Sequence, residues 1–355
     1  MSDKRVSQKG HKRKTRDFLP MRNALAEFEN VVSDEMLAGA RCGEGPLLSI
    51  TIPTYRRHDL LLEAVASAIG QDIDAPFEVV VVDNDPESRG HELLLASLPQ
   101  IATMNFRYLR NRQNLGMYGN INHCIQVARG EWMTVLHDDD LLHADFAREM
   151  FAVLEGDPAI DGLVCQKGVL DQRPVAYRQS TSRRLLLNAL HFHRFHGRKS
   201  RRIDARKLFW GCIVGNNVGF ICRTRDARSI GGYYPEEYPG CDYFFYARFA
   251  QRFRLEQCGK SLATVRVAVN TLLRPEEQLA GLRLAYNIQS AYAGTVLPSY
   301  WSKISPLLMA RLAAVSSGFW QSELSKADIE KALGIRLPPD RPIVLHALRA
   351  MLGGF

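Results

Sequence analysis

The sequence lacks several features that would place the protein in a common class. No apolar run reaches the roughly 18 residues that a membrane span requires, and no apolar signal core follows the basic amino terminus. The 7 cysteines are scattered without a C-x-x-C pair, so neither a disulfide framework nor a zinc site is indicated. We therefore expect a cytoplasmic protein with reduced thiols and no secretion signal.

Glycine-rich phosphate loops are missing as well. The first strand-like segment is followed by Pro53-Thr54-Tyr55, which is neither a G-x-G-x-x-G motif nor a P-loop. The same segment argues against a sugar nucleotidyltransferase, because that class should carry a glycine-rich loop at this position. The chain also has no internal repeat and no low-complexity segment.

The composition is ordinary, but the positive charge is unevenly placed. The 355 residues are 46% hydrophobic and 24% charged, which is typical of a soluble globular protein. The net charge of +8 reflects a basic arm within residues 1–16 and a basic cluster within residues 194–207. Such patches favour anionic lipid, nucleic acid or phosphorylated ligands, although a disordered arm and a solvated loop explain them equally well. The spacing of His191, His193 and His196 is not that of a metal site.

Strand-like and helix-like segments alternate in the first half of the chain. The strand-like segments are residues 48–52, 77–82, 106–109 and 132–136, and the helical patterns between them fall within residues 61–69, 93–98 and 120–128. This alternation predicts a parallel, doubly wound α/β sheet whose right-handed crossovers place the strand ends along one rim. We therefore expect Pro53–Tyr55, Asp83–Asp85 and His137–Asp140 to converge.

The segment His137-Asp138-Asp139-Asp140 carries the strongest functional signal. It follows the apolar run of residues 132–136, so three carboxylates stand at the end of a buried strand, where open α/β sheets bind their ligands. Such carboxylates repel one another and raise each other's pKa values. A hard divalent cation with oxygen ligands relieves the repulsion and commonly also holds a phosphate. The pattern therefore predicts a metal-assisted site for a phosphorylated substrate; an acidic loop or a helix N-cap in water is the alternative.

Three other residues have both a functional and a structural interpretation. Asp242 stands at or just before a helical pattern over residues 243–253; its position alone favours an N-cap, and a general base for an acceptor hydroxyl is the other interpretation. Asp83 either accepts a hydrogen bond from a nucleotide or forms an Asx-turn. Tyr55 either stacks on a base or belongs to a plain strand-to-helix turn.

Five segments together resemble the inverting glycosyltransferases of family 2, which have the GT-A fold. Ser49–Arg57 resembles the opening motif S-hydrophobic-x-I-P-T-Y-N-R, and Val80–Asp85 is similar to the V-D-D/N segment. Residues 114–132 match the N-x-G…N…A-x-G-E block, Leu136–Leu142 looks like the D-x-D region, and Gly231–Asp242 looks like the acceptor-side G-G-x-x-E…E-D block. The resemblance covers about residues 46–255, with the motifs in the family's order.

The resemblance implies a metal-dependent inverting transferase that moves a sugar from a nucleotide-diphosphate donor, most simply a UDP-sugar, to an acceptor hydroxyl. Mn²⁺ or Mg²⁺ would be the cofactor, with ligands among Asp138, Asp139 and Asp140. Asp242 would deprotonate the acceptor, which then attacks the opposite face of the anomeric carbon. The residues implied at the nucleotide-sugar site are Pro53, Thr54, Tyr55, Arg57, Asp83, Asn84, Asn114, Gly116, Asn120 and Asp138.

The sequence departs from the family's pattern at three places. His137 stands where many members have the first Asp of D-x-D, which leaves the choice of metal ligands open. Cys241 replaces the usual Glu of E-D, so Asp242 is the only base candidate there. No histidine stands near Asn270, where a late metal ligand would be sought, and arginines within Arg194–Arg206 could cover the diphosphate instead.

On this interpretation the chain has three parts. Residues 1–45 are a basic, partly disordered extension, and residues 271–355 are a helical carboxyl-terminal region. Residues 46–270 are the GT-A domain, with a nucleotide-binding half over 46–145 and an acceptor half over 146–270. The expected acceptor is a glycan or a lipid-linked saccharide of polysaccharide or lipopolysaccharide-type biosynthesis. The basic arm and the helical region could hold the protein against the cytoplasmic face of an anionic membrane, or the helical region could support a homodimer.

Two other classes explain part of the sequence. Val81–Asp85 imitates the nucleophile motif of haloacid-dehalogenase-type phosphatases, but Glu87 stands where that class requires Thr or Val, and an equally good strand precedes it. The alternative function is a non-catalytic or degenerate protein that binds a sugar nucleotide or nucleic acid, and binding of nucleic acid would explain the charge. Nucleic acid is not an expected partner, because three clustered acids repel phosphate unless a metal is present.

Overall fold

One mixed β-sheet forms the centre of the molecule. The structure, a computed structural model, describes residues 19–40, 45–173, 199–268, 274–319 and 324–352. Within these residues the sheet has ten strands, which are β1 (Ser33–Ala38), β2 (Leu48–Thr54), β3 (Phe77–Asp83), β4 (Phe106–Asn111), β5 (Trp132–Val135), β6 (Leu141–Leu142), β7 (Gly162–Asp171), β8 (Ser200–Ile203), β9 (Phe220–Arg223) and β10 (Leu255–Val267).

Eleven α-helices accompany the sheet in the same part of the chain. They are α1 (His58–Ile69), α2 (Gly90–Ser97), α3 (Gly116–Val127), α4 (Phe146–Gly156), α5 (Ala205–Phe209), α6 (Thr224–Ser229), α7 (Cys241–Arg252), α8 (Pro275–Tyr292), α9 (Ser305–Phe319), α10 (Lys326–Leu333) and α11 (Pro342–Met351). Short 3-10 helices occur at Ala24–Phe28, Pro99–Thr103, Pro235–Glu237 and Ser299–Lys303.

The first half of the sheet is parallel, as the alternation of segments predicts. Strands β4, β3, β2 and β5 lie side by side in that order and run in one direction. Val79 and Val81 of β3 pack with Leu61 of α1, whereas Val80 and Val82 pack with Cys124 of α3 on the other face. Because helices cover both faces, the strand is a continuous apolar run. The carboxyl ends of the four strands therefore share one rim.

The second half of the sheet mixes directions. β5 pairs antiparallel with β9 and β9 with β7, β7 pairs parallel with β10, and β6 and β8 pair antiparallel with β10. The apolar residues before β9 do not extend this strand. Gly215 and Gly219 have φ angles of 73° and 74°, which belong to the left-handed region and not to a strand. Residues 211–219 therefore form a loop.

Residues 19–40 are integrated into the fold, although the sequence pattern assigns them to a partly disordered extension. β1 pairs antiparallel with β4 at the edge of the sheet. Leu19 and Leu25 are buried in the same apolar core as Tyr233, and the Gln126 amide donates to the Leu25 carbonyl at 2.8 Å. The basic arm of residues 1–16 lies outside the described residues, and the division of the chain at residues 45 and 270 stays a prediction.

Aromatic packing fixes α7 against the second half of the sheet. The rings of Phe245 and Phe249 meet the ring of Phe220 on β9 edge to face, with centroids 6.1 and 5.5 Å apart. Tyr233 stacks on Phe245 with centroids 4.3 Å apart. This packing sets the position of the first turn of α7, which carries Asp242.

The carboxyl-terminal residues are helical, as predicted. Helices α8, α9 and α10 share a small core that contains Leu282, Met309 and Ile329. α10 starts with a capping box between Ser325 and Asp328 and is followed by Gly334 in the left-handed conformation. Among the helices of the described residues, none combines the length and the apolar character that a membrane crossing needs.

Candidate active site

The ends of β2, β3 and β5 converge at one rim, as the sequence predicts. Thr54 Oγ1 donates to Asp138 Oδ2 at 2.8 Å, and the Asn84 N–H donates to the Thr54 carbonyl at 2.9 Å. Because Thr54 contacts both partners, Pro53–Tyr55, Asp83–Asp85 and His137–Asp140 form one surface.

Asparagine side chains hold the β3–β4 side of this rim. Asn111 Nδ2 donates to Asn84 Oδ1 at 3.2 Å and to Asn120 Oδ1 at 2.9 Å. Asn84 Nδ2 donates to Asn114 Oδ1 at 2.8 Å and to the Gly116 carbonyl at 3.1 Å. Asn120 Nδ2 donates in turn to the carbonyl of residue 82 at 2.9 Å. The predicted residues Asn84, Asn114, Gly116 and Asn120 are therefore brought together.

Asn111 lies at the centre of this network, and the sequence pattern does not predict it as a site residue. It is fully buried, and its Oδ1 accepts from Ser33 Oγ on β1 at 2.7 Å. The available signal was its position as the last residue of β4, beside Asn84 just beyond β3.

Asp83 points into the fold. Its Oδ1 accepts from the Asp85 N–H at 3.0 Å, which is the Asx-turn alternative. Its Oδ2 accepts from the Tyr108 hydroxyl. Burial and the charge of Asp83 raise the pKa of Tyr108, so the hydroxyl stays protonated and donates. The structure thus places Asp83 at the rim as a turn-former, and its contact with a nucleotide stays a prediction.

Tyr55 presents an aromatic ring at the rim. Its side chain is 41% exposed, and the Arg56 guanidinium lies 5.0 Å from the ring centroid. Arg56 also donates to Asp85 Oδ2 at 2.7 Å, and its φ of 56° is a conformation that few non-glycine residues adopt. Pro53 is half-buried beside it. The exposed ring is therefore available for stacking.

The side chains of the acidic segment, His137–Asp140, point in two directions. His137, Asp139 and Asp140 each offer one ligand atom, and these atoms lie within 4.8 Å of one another. Asp138 turns instead toward Thr54. One imidazole nitrogen with two carboxylates fits a divalent cation such as Mn²⁺. The geometry thus adds His137, the residue that departs from the motif, to the candidate ligands; which side chains bind metal stays a prediction.

Burial raises the pKa values of two acids in this segment. It raises the pKa of Asp138, against a hydrogen bond from Thr54, and it raises the pKa of Asp140 to about 6. Arg57 supplies positive charge, because its Nη1 lies 2.8 Å from Asp139 Oδ2 and 3.4 Å from Asp138 Oδ1. A bound cation would favour the ionised form of Asp140 in the same way.

Asp242 lies in the first turn of α7, one residue inside the helix, where Gly240 and not Asp242 is the N-cap. Burial raises the pKa of Asp242, and the charges of His137 and Lys167 oppose that rise. The acidic segment therefore acts on Asp242 through the charge of His137, and the role of Asp242 in a common site stays a prediction. A carboxyl with a raised pKa at a helix start can accept a proton from a hydroxyl.

Further groups that contact the acidic segment come from distant strands. The Arg266 N–H donates to Asp140 Oδ1 at 2.8 Å, and its Nε donates to the Asp139 carbonyl at 2.9 Å. Asn216 Nδ2 donates to Asp140 Oδ2 at 3.1 Å. Sequence spacing offered no signal for these residues, because strand pairing alone brings them near.

Some predicted features lie elsewhere. The segment with His191, His193, His196, Arg194 and Arg198, and also Asn270, lies outside the described residues. Arg201 and Arg202 belong to β8, which pairs with the first residues of β10, whereas Arg266 near the other end of β10 reaches the acidic segment. The structure therefore does not bring Arg201 and Arg202 to the site.

A family comparison identifies the part of the chain that holds this rim. Residues 49–223 match the model of glycosyl transferase family 2. These residues form a family 2 glycosyltransferase domain. The match includes β2 to β5 and the acidic segment, and it ends before Asp242.

Curated relatives share this part of the chain. The putative colanic acid biosynthesis glycosyl transferase WcaA of Escherichia coli (strain K12) is 33% identical over 95 residues, which cover 27% of this chain and 33% of WcaA. The GalNAc(5)-diNAcBac-PP-undecaprenol beta-1,3-glucosyltransferase of Campylobacter jejuni is 33% identical over 97 residues, which cover 27% of this chain and 31% of that enzyme. The chain thus spans only about a third of each of these two relatives.

Solved structures extend the likeness to most of the chain. S. aureus TarS 1–349 in complex with UDP-GlcNAc has a TM-score of 0.55 at 17% identity, covering 81% of this chain and 79% of that one. Mannosyltransferase PcManGT from Pyrobaculum calidifontis, in complex with GDP-Man and Mn²⁺, has a TM-score of 0.50 at 17% identity, covering 94% and 86%. At this identity the likeness shows the fold, which is GT-A.

Proposed function

We propose that the protein transfers a sugar from a nucleotide-diphosphate donor, a UDP-sugar, to an acceptor hydroxyl with inversion and with the help of a divalent cation. The observation that carries the proposal is the cluster of His137, Asp139 and Asp140, three candidate cation ligands, at the same rim of a family 2 domain as the exposed ring of Tyr55. Asp242, which follows the matched residues, is influenced by the charge of His137. UDP-GlcNAc in TarS and GDP-Man with Mn²⁺ in PcManGT support a nucleotide-sugar donor and a cation.

The donor side orients the nucleotide. Tyr55 stacks on the base, and the asparagine network keeps the ends of β3 and β4 and the start of α3 in place beneath it. Arg57, which already pairs with Asp139 and Asp138, reaches the diphosphate with its half-exposed guanidinium. A cation held by His137, Asp139 and Asp140 would neutralise the charge that grows on the leaving diphosphate.

Asp242 acts on the acceptor. Its carboxylate takes the proton of the acceptor hydroxyl, and the freed oxygen attacks the anomeric carbon from the face opposite the diphosphate. The new glycosidic bond forms while the bond to the diphosphate breaks, and the diphosphate leaves with the electron pair. The proton stays on Asp242, so no glycosyl-enzyme intermediate is required.

Calorimetric titration tests the donor and the cation. UDP and GDP are added, with and without Mn²⁺, to wild type, to Asp139→Ala and to Asp74→Ala, an exposed acid before the opposite end of β3. We expect binding of UDP that depends on Mn²⁺, that disappears in Asp139→Ala and that persists in Asp74→Ala. If neither nucleotide binds to wild type, the proposed donor is wrong.

The proposed acceptor is a saccharide, in particular one carried by a lipid at the cytoplasmic face of an anionic membrane. The names of the C. jejuni and E. coli relatives refer to an undecaprenol-linked acceptor and to colanic acid. α11 buries Leu345 but exposes Ile343 and Met351, at 84% and 73%, and residues 341–352 contain no acid. A basic helix with exposed apolar residues suits an anionic lipid surface.

Vesicle sedimentation tests this contact. We expect Ile343→Glu/Met351→Glu to lose binding to vesicles that contain anionic lipid, whereas Val32→Glu, at an exposed apolar residue before β1, keeps it. Deletion of residues 1–16 measures how much the basic arm contributes to vesicle binding. Unchanged binding in the α11 variant, with a change from dimer to monomer in sedimentation velocity, would assign this face to a homodimer instead.

A further inference from the structure

A lysine lies where the acidic segment meets the loop before β9. Lys167 of β7 donates through Nζ to the Val214 carbonyl at 2.8 Å, to Asn216 Oδ1 at 3.0 Å and to the Asn216 carbonyl. An ammonium has three N–H donors and no acceptor, so this loop satisfies it completely. Burial lowers the pKa of Lys167, and nearby negative groups, Asp242 and Asp140 among them, raise it.

Asn216 links the lysine to the acidic segment. Its Oδ1 accepts from Lys167, while its Nδ2 donates to Asp140 Oδ2 at 3.1 Å. A reversed amide would set its NH₂ group against the ammonium, so the contact with Lys167 fixes which end of the amide faces Asp140. The other oxygen of Asp140 accepts from the Arg266 N–H. Two donors therefore orient this carboxylate, and one of them depends on Lys167.

The same loop borders the acceptor side. The Tyr246 hydroxyl of α7 donates to the Asn216 carbonyl at 3.3 Å. The neighbouring Asn217 Nδ2 donates to the Tyr233 hydroxyl at 3.1 Å. Because α7 also carries Asp242, the loop held by Lys167 connects the acidic segment with the helix of the proposed base.

We propose that Lys167 is a positioning residue that acts through Asn216 to orient Asp140 in the His137–Asp139–Asp140 cluster. The inference rests on the proposed function, because it concerns the cation and the donor of that site. Groups that orient metal ligands typically change metal affinity by about 10- to 100-fold when they are removed.

The test is Mn²⁺ binding by the full chain. Lys167→Met removes the charge but keeps an unbranched side chain, and Lys260→Met makes the same change at an exposed lysine that pairs with Glu149. Free Mn²⁺ is measured by electron paramagnetic resonance, with and without UDP, and the unfolding temperature of each variant is recorded. We expect the Kd for Mn²⁺ to rise by about 10- to 100-fold in Lys167→Met and to stay unchanged in Lys260→Met.

Asn216→Leu and the double variant test the route. If Lys167 acts through Asn216, the double variant Lys167→Met/Asn216→Leu has a Kd for Mn²⁺ no higher than the higher of the two single-variant values. Effects that multiply would overturn this route. Unchanged affinity in folded Lys167→Met would overturn the proposal, and if that variant does not fold, unchanged affinity in Asn216→Leu would do so.

The wild-type result separates this inference from the proposed function. Binding of Mn²⁺ without binding of UDP would contradict the proposed donor, while the lysine variants would still decide the role of Lys167. Absence of Mn²⁺ binding under both conditions would overturn the inference together with the cation of the proposed function.

Discussion

The two sides of the candidate site are built from different chemistry. On the side of β3 and β4, Asn84, Asn111 and Asn120 bond to one another and to the backbone. On the other side, His137, Asp139 and Asp140 lie close together in charged surroundings. Amides do not titrate, whereas the acids respond to pH and to a cation. If the proposed function holds, donor positioning and transfer chemistry can therefore be changed separately.

The largest effect should come from the charged side. Asp242→Asn removes the proposed general base, and we expect kcat to fall by about 100- to 10,000-fold, the usual contribution of a general base. The affinity for UDP should remain within about threefold, because the proposed nucleotide contacts come from Tyr55 and Arg57 and not from Asp242. Steady-state kinetics and calorimetry measure the two quantities. A kcat within tenfold of wild type would assign the base to another group.

A smaller effect, on stability, should come from the amide side. Asn111→Leu keeps the approximate shape but removes the partner of Ser33 Oγ, Asn84 Oδ1 and Asn120 Oδ1. We expect the free energy of unfolding to fall by about 2–4 kcal/mol, since buried polar groups lose their partners. Urea titration measures it.

The loss caused by Asn111→Leu should vary little between pH 5.5 and 7.5, because the amides carry no charge and burial lowers the pKa of His123, the imidazole that contacts Ser33 Oγ at 2.8 Å. Asn105→Leu, at a half-buried residue before β4, is the matched control. A loss that changes with pH would show that the two sides are coupled.

The smallest effect should be the pH dependence of cation binding. Burial raises the pKa of Asp140 to about 6, so lowering the pH through 6 protonates a candidate ligand. Mn²⁺ affinity should then weaken by up to about tenfold per pH unit below 6, for one proton displaced. Electron paramagnetic resonance between pH 5 and 7.5 measures it. In Asp140→Asn this part of the dependence should be absent, and an unchanged slope would contradict the assignment.

In the metal-free protein, lowering the pH has the opposite effect on folding stability from its effect on cation binding. The pKa of Asp140 is higher in the folded state than in the unfolded state, so the folded state binds more protons between about pH 4 and 6. Stability from this group therefore increases as the pH falls through 6 and is lost as the pH rises. A cation would reverse the preference, because it favours the ionised carboxylate.

The sequence by itself determined the architecture of the parallel half of the sheet, from β2 to β5. Buried parallel strands must be continuous apolar runs and their helices must repeat near 3.6 residues, so periodicity predicted β2 to β5 and α1 to α3. Each of the three helices begins three or four residues earlier than predicted. Strand ends in a doubly wound sheet share a rim, which predicted the meeting of Thr54 with Asp138. The sequence also predicted the family motifs and the helical carboxyl-terminal region.

Only the tertiary structure decided the directions of the side chains and the partners that come from distant strands. It turned Asp83 inward, set His137 beside Asp140, and brought Asn216 and Arg266 of β10 to the acidic segment. Periodicity predicts which face of a helix or strand a residue lies on. It does not predict the register of strand pairing or the side-chain rotamer. Those depend on packing among strands that are distant in sequence, and the charged half of the site is built from such contacts.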